Sequence, residues 1–212
     1  MEQWIDEQYF AELAQAKPEK LCAGGRAAYD PATGRYRIRI WNEDYTFDGR
    51  NRLVSVAPTA SSTLTEEFDP ERFSVFVIWY LLHPMMAVPH TGTWISENDF
   101  PGGNTFFRGP HQIPGNKVAV ACDGNLGHFT AAGQRLGGEK LTMGDAAFRF
   151  AITPDIAVAV LLWLGDEDFP AEAKVLFDQG LIGKLPLDLV WSLASGVCKR
   201  LSGIIKAQGQ AA

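Results

Sequence analysis

Five carboxylates fall within one short stretch of the chain: Asp166, Glu167, Asp168, Glu172 and Asp178. Clustered carboxylate oxygens suit a hard divalent cation. The spacing departs from the calcium loop Asp-x-Asp-x-Asp-Gly, and Phe169-Pro170 ends the loop early. Acid–base catalysis is a second possible use. A third is structural: a carboxylate in Gly165-Asp166-Glu167 caps a short helical turn at Ala171–Leu176, which follows Pro170. The structural role is the expected one.

The remaining reactive side chains are dispersed. His83, His90, His111 and His128 form no HxH or HExxH pair. Taken singly, each reads as a surface or hydrogen-bonded loop residue. His90 and His111 lie in an aromatic-rich loop, from which they could join the acidic turn in a mixed nitrogen–oxygen site. Cys22, Cys122 and Cys198 are far apart and make no CxxC pair, so a cysteine-only zinc or iron–sulfur site is not expected. Cys122 follows the apolar run Val118–Ala121 and is expected to be a buried, inert thiol. There is no Gly-x-Ser-x-Gly elbow and no Walker loop. The glycines of Gly133–Gly138 lack the dinucleotide spacing.

The chain has 212 residues, 46% of them hydrophobic, and a net charge of −6. That supports one domain with a sizeable core. No stretch concentrates Lys and Arg, so nucleic acid and anionic membrane are excluded as partners. The N-terminus has no secretory pattern. The apolar runs at Phe73–Leu82 and Ile156–Leu164 are shorter than the roughly 20 residues that span a bilayer. The expectation is a soluble, cytoplasmic protein.

Several elements must position these groups. Residues 3–16, including Trp4, have amphipathic helical spacing, and Lys17-Pro18 interrupts it. A hairpin follows, with strands at Ala27–Tyr29 and Arg35–Trp41 around the turn Asp30–Gly34. Arg35, Arg37 and Arg39 alternate with Tyr36, Ile38 and Ile40 and read as the solvated face of a sheet. Tyr45–Phe47 and Leu53–Val56 read as short strands, and Pro58–Thr65 as a polar loop. Asp69-Pro70-Glu71 starts a buried, almost wholly apolar helix over Phe73–Leu82. Met85–Pro114 has no periodicity, and such long stretches in small proteins often carry function. One helix is expected within 116–136 and a last one from Pro186. Asp145–Ile152 and the run beginning at Ala157 should pair as a hairpin.

The run Val160-Leu-Leu-Trp-Leu-Gly-Asp-Glu-Asp-Phe-Pro-Ala-Glu-Ala-Lys-Val-Leu-Phe-Asp178, preceded by Gly144-Asp145, resembles an uncharacterised family catalogued as domain of unknown function 3786. The hairpin around Tyr29–Tyr45, Tyr80-Leu-Leu82, Gly92-Thr-Trp-Ile-Ser96 and Phe100-Pro-Gly-Gly103 fit it too. The resemblance covers about residues 5–203 and implies a source among mostly anaerobic bacteria and archaea. It carries no reaction and no residue roles.

These observations predict an α+β fold: a single compact domain with a largely antiparallel sheet and about four helices. The expected function is a small-molecule or cofactor-binding accessory protein of anaerobic metabolism. Its pocket should lie between the aromatic-rich loop and the acidic turn. The ligand site is assigned to His90, Trp94, His111, Trp163, Asp166 and Asp168. No metal ligands are assigned and no cofactor is identified. Two rivals stand beside this reading: a metal-dependent enzyme using the 166–178 carboxylates, and a protein-interaction domain with the aromatic loop as its docking face.

Overall fold

Tyr36, Ile38 and Ile40 are buried while Arg35, Arg37 and Arg39 are exposed, as their alternation predicts. This strand belongs to the first of two units in the computed structural model, which describes residues 5–57, 70–84 and 88–209. Residues 5–57 and 70–84 form one unit, and residues 88–209 form the other. No helix among the described residues is long and apolar enough to cross a membrane.

The first unit begins with α1 (Glu7–Gln15), capped by Asp6, and α2 (Pro18–Leu21). Four strands follow as an antiparallel meander: β1 (Ala27–Asp30), β2 (Arg35–Ile40), β3 (Glu43–Asp48) and β4 (Leu53–Ala57). The apolar helix α3 (Pro70–Leu82) packs on β3 and β4. Phe73 is its main aromatic anchor. Its ring centroid lies 6.5 Å from Trp41, 6.2 Å from Tyr45 and 5.6 Å from Phe76. Arg26 closes the C-terminal end of α3. Its guanidinium donates to the carbonyls of Tyr80 at 2.6 Å and Pro84 at 3.3 Å, and it lies 3.5 Å from the Tyr80 ring centroid. Helix ends leave carbonyls without helical donors, and a cation there also favours the dipole. Trp4, the Pro58–Thr65 loop and the capping Asp69 lie outside the described residues.

The second unit holds a five-stranded antiparallel sheet in the order β5-β9-β8-β7-β6. The strands are β5 (Trp94–Ile95), β6 (Glu139–Leu141), β7 (Ala146–Ala151), β8 (Ala157–Trp163) and β9 (Glu172–Asp178). Its helices are α4 (Gly103–Phe106), α5 (Gly115–Cys122), α6 (Leu126–Arg135) and α7 (Leu187–Gly209). β7 and β8 pair as the expected hairpin, and Ala157–Leu162 is buried on both faces. One face presents Phe148, Phe150, Val160, Val175 and Phe177, with α6 packed on β7 and α5 on β9. The opposite face carries Ala147, Ala159 and Leu161 beneath half-buried Trp94, Leu141, Met143, Trp163 and Leu176.

The α+β class holds, with four corrections. The strands form two antiparallel sheets of four and five strands, not one. Seven α-helices occur among the described residues, not about four. Two of them, α2 and α4, are single turns. The expected helix at 116–136 is two helices, because Asp123 and Gly124 take positive φ (48° and 70°) and break the register. Finally, Ala171–Leu176 is not a helical turn. It belongs to β9, where Ala173, Val175 and Phe177 point inward and the strand pairs with β8 along its length.

Asp48, at the end of β3, is buried and supplies a pH-dependent contribution to the first unit. It accepts from the Asn51 amide N–H at 2.9 Å, the Asn51 side chain at 2.9 Å and Arg35 at 3.2 Å. The Asn51 donors, helped by the Arg35 guanidinium, hold its carboxyl down at about 2. A folded-state value below the unfolded one adds stability above the unfolded value, and that stability is lost as pH falls through the folded value. Unfolding titrations should therefore show stability falling between about pH 4 and about pH 2. Asp48→Asn should remove that step; an identical slope in the variant would contradict this role.

Candidate functional site

Residues 97–116, most of them in the longest aperiodic stretch, fold against β9 and leave a cleft of about 600 Å³. Local chemistry sets its first wall. Ser96 caps a 3₁₀ turn at Glu97–Asp99, and Asp99 accepts from the Ser96 amide and hydroxyl at 2.8 Å each. Gly103 then starts α4 so close to this turn that a Cβ would collide with the Glu97 carbonyl oxygen. This places Glu97, Asn98, Asn104 and Phe107 side by side on the cleft.

The second wall is the turn at 108–112. Its position is fixed from α7. The Trp191 indole donates to the Gln112 carbonyl at 3.4 Å and meets His111 edge-on at 5.7 Å. His111 stacks on Phe106 at 4.5 Å. The chain then enters α5 at Gly115, where a Cβ would collide with the Ala173 carbonyl oxygen. Arg108, Gln112 and Asn116 line this side.

The floor is β9 from Ala171 to Val175. β5 pairs with β9 only at Asp178 and Phe177, so β9 beyond that point has a strand partner on the β8 side alone among the described residues. Lys174 and Glu172 stand at the rim, 3.3 Å apart. The Lys174 ammonium also lies 5.8 Å from the Trp163 ring centroid. The cleft thus offers four carboxamides, two cations and two carboxylates. Its lining contains no Ser, Thr, Tyr, Cys or His among the described residues.

A family model described as domain of unknown function (DUF3786) matches residues 17–200. The chain belongs to this family. Neither a curated protein nor a solved structure matches it. The DUF3786 match spans both units and every cleft-lining residue. It assigns no reaction, so roles must come from the geometry.

The six residues assigned from the sequence are distributed as follows. Trp94 and Trp163 share the second face of the five-stranded sheet. Asp166 and Asp168 share one exposed turn. Asp166 accepts from the amides of Asp168 at 2.9 Å and Phe169 at 2.8 Å, so its carboxylate shapes the turn. His90 is exposed, with its Nε2 3.5 Å from the Pro154 carbonyl. His111 props the second wall. None of the six lines the cleft. Among the described residues, no three His, Cys, Asp or Glu side chains converge to hold a metal ion. The convergence of carboxylates and histidine that the metal-dependent reading requires is not found there. Burial pushes the thiols of Cys122 and Cys198 up to about 11 and about 12, which keeps both protonated and unreactive.

The polar lining residues are isolated Asn, Gln and Arg positions in a stretch without period. No spacing rule selects them. The available signal is the aperiodic stretch itself, which contributes most of the cleft.

Asp178 has a different use from the acids before it. It is buried and accepts from the Thr91 amide and hydroxyl, the Gly92 amide and the Gly180 amide at 2.8–3.1 Å. Burial pushes its carboxyl up, but the Gly180, Thr91 and Gly92 donors outweigh this and hold it below its ordinary value. Asp178→Ala should cost about 2–3 kcal/mol in denaturant unfolding, the scale of hydrogen bonds to a charged group. It should also speed amide exchange at Thr91 and Gly92. Wild-type stability with unchanged exchange would refute the anchoring role.

Proposed function

We propose that this chain binds a small polar organic molecule in the cleft between 97–116 and 171–175, as an accessory protein and not as a catalyst. The observation that carries this reading is the lining. Asn98, Asn104, Gln112 and Asn116 each donate and accept, and both charge signs are present. Such a set orients a ligand with several polar groups. Among the described residues it has no Ser, Thr, Cys or His to form a nucleophile–base pair, and no three metal-ligating side chains converge. The walls rest on packed main chain, at Gly103 against Glu97 and Gly115 against Ala173. Preformed walls reduce the ordering cost of binding. The volume falls in the usual range for small-ligand sites. A place in anaerobic metabolism follows only from the resemblance drawn from the sequence.

A protein-docking reading draws on a different surface. Trp94 and Trp163 are half-buried on one sheet face with Leu141, Met143 and Leu176, an apolar and aromatic composition common at interfaces.

Native mass spectrometry of protein purified without oxygen tests the binding reading. The wild-type chain should carry a small-molecule adduct that Arg108→Glu loses while retaining its fold by circular dichroism. A bare wild-type mass, or an adduct equally present in the variant, would overturn it.

A further inference from the structure

Two large apolar side chains of the second unit stand in solvent, Val120 at 75% exposure and Phe169 at 71%. A single exposed apolar residue needs no explanation. These two sit in opposite charge settings. Phe169 belongs to the turn 165–170, in which every residue is exposed. The turn is held by its own bonds. The Asp166 carboxylate accepts from the Asp168 and Phe169 amides, and the Asp166 amide donates to the Phe169 carbonyl at 2.9 Å. Gly165 passes so close to the Ala171 amide nitrogen that a Cβ would collide with it. The phenyl ring is thus presented on a preformed turn, with the Glu167 and Asp168 side chains exposed beside it.

Val120 lies on the outer side of α5, which buries Val118, Ala119 and Cys122. α5 packs on α7. A groove of about 570 Å³ runs beside them, lined by Asn116, Lys117, Val120, Lys199 and Lys206. No carboxylate lines it among the described residues. In a chain of net charge −6, three ammonium groups around one exposed apolar side chain reverse the prevailing sign.

We propose that the acidic turn at 165–170 of one copy of this chain docks in the Lys117–Val120–Lys206 groove of a second copy. Each surface supplies what the other lacks. Phe169 covers Val120, while Glu167 and Asp168 meet the lysine ammonium groups. The apolar contact gives the strength; the charges set the orientation and exclude like-charged surfaces. Because the turn is preformed, little ordering is needed on contact. The joined surfaces differ, so the contact is heterologous and adds copies head to tail. A patch of this size makes a small, transient interface with a Kd on the order of micromolar or weaker. The contact does not depend on a ligand in the cleft.

Sedimentation velocity on the full chain, from about 10 µM to about 500 µM, tests it across that affinity range. The wild-type chain should self-associate as concentration rises, and less so at high salt. Phe169→Ser and Lys117→Glu should each weaken association about tenfold or more, with unchanged circular dichroism, since both positions are exposed. Phe169→Ser keeps its groove and Lys117→Glu keeps its turn. An equal mixture of the two should therefore form a one-to-one complex that neither forms alone. A wild-type chain that stays monomeric throughout would overturn the proposal. So would two variants that associate like the wild type, or a mixture no more associated than its components. A monomer whose Lys117 and Val120 amides shift on titration with inorganic phosphate would replace the second copy with a small anion.

Discussion

Four donors converge on the carboxylate of Asp178, at the last position of β9. In water these groups would be solvated separately. Here they hold the segment 91–93 against the strand end and let β5 form beside it. The pairing lasts two residues, because Ser96 then caps a turn that leads the chain away from the sheet. The cleft beside β9 follows from that early departure. A longer β5 would have filled the site with backbone.

The rest of the second unit stabilises this arrangement from behind. Val175 and Phe177 are buried on the helix-covered face, and Phe177 meets Phe100 edge-on at 5.4 Å. Gly115 allows α5 to reach the strand, and Trp191 on α7 fixes the turn at 108–112. Little of the site therefore depends on a free loop. The exposed acids at 166–168 are tied up in their own turn through Asp166. The buried thiols are protonated. What the cleft presents is amide, guanidinium, ammonium and carboxylate chemistry, which suits recognition more than bond-making.

Much of the fold was legible in the sequence, for physical reasons that can be named. The Arg/Ile alternation of β2 and the continuous apolar run of β8 each correspond to one burial pattern. The run from Val160 to Asp178 pointed to the family that the match at 17–200 shows. β9 was not legible. Pro170 after a group of acids imitates a helix start, and only pairing with β8 makes Glu172–Asp178 a strand. The break at Asp123-Gly124 was masked by helical spacing on both sides. The aperiodic stretch from 85 to 114 drew attention to the region of the cleft. The residues that line it could not be named, because Asn104 and Lys174 become neighbours only through the register of β9.

The cleft depends on β5 leaving the sheet after Ile95, where Ser96 caps a turn instead of continuing the pairing. Residue-resolved amide hydrogen exchange tests this most directly. The amides of Ile95 and Phe177, which pair across β5 and β9, should be strongly protected, and the amide of exposed Asn98 should exchange faster by orders of magnitude. Uniform protection from Ile95 through Asn98 would contradict the early end of the pairing and the cleft built on it.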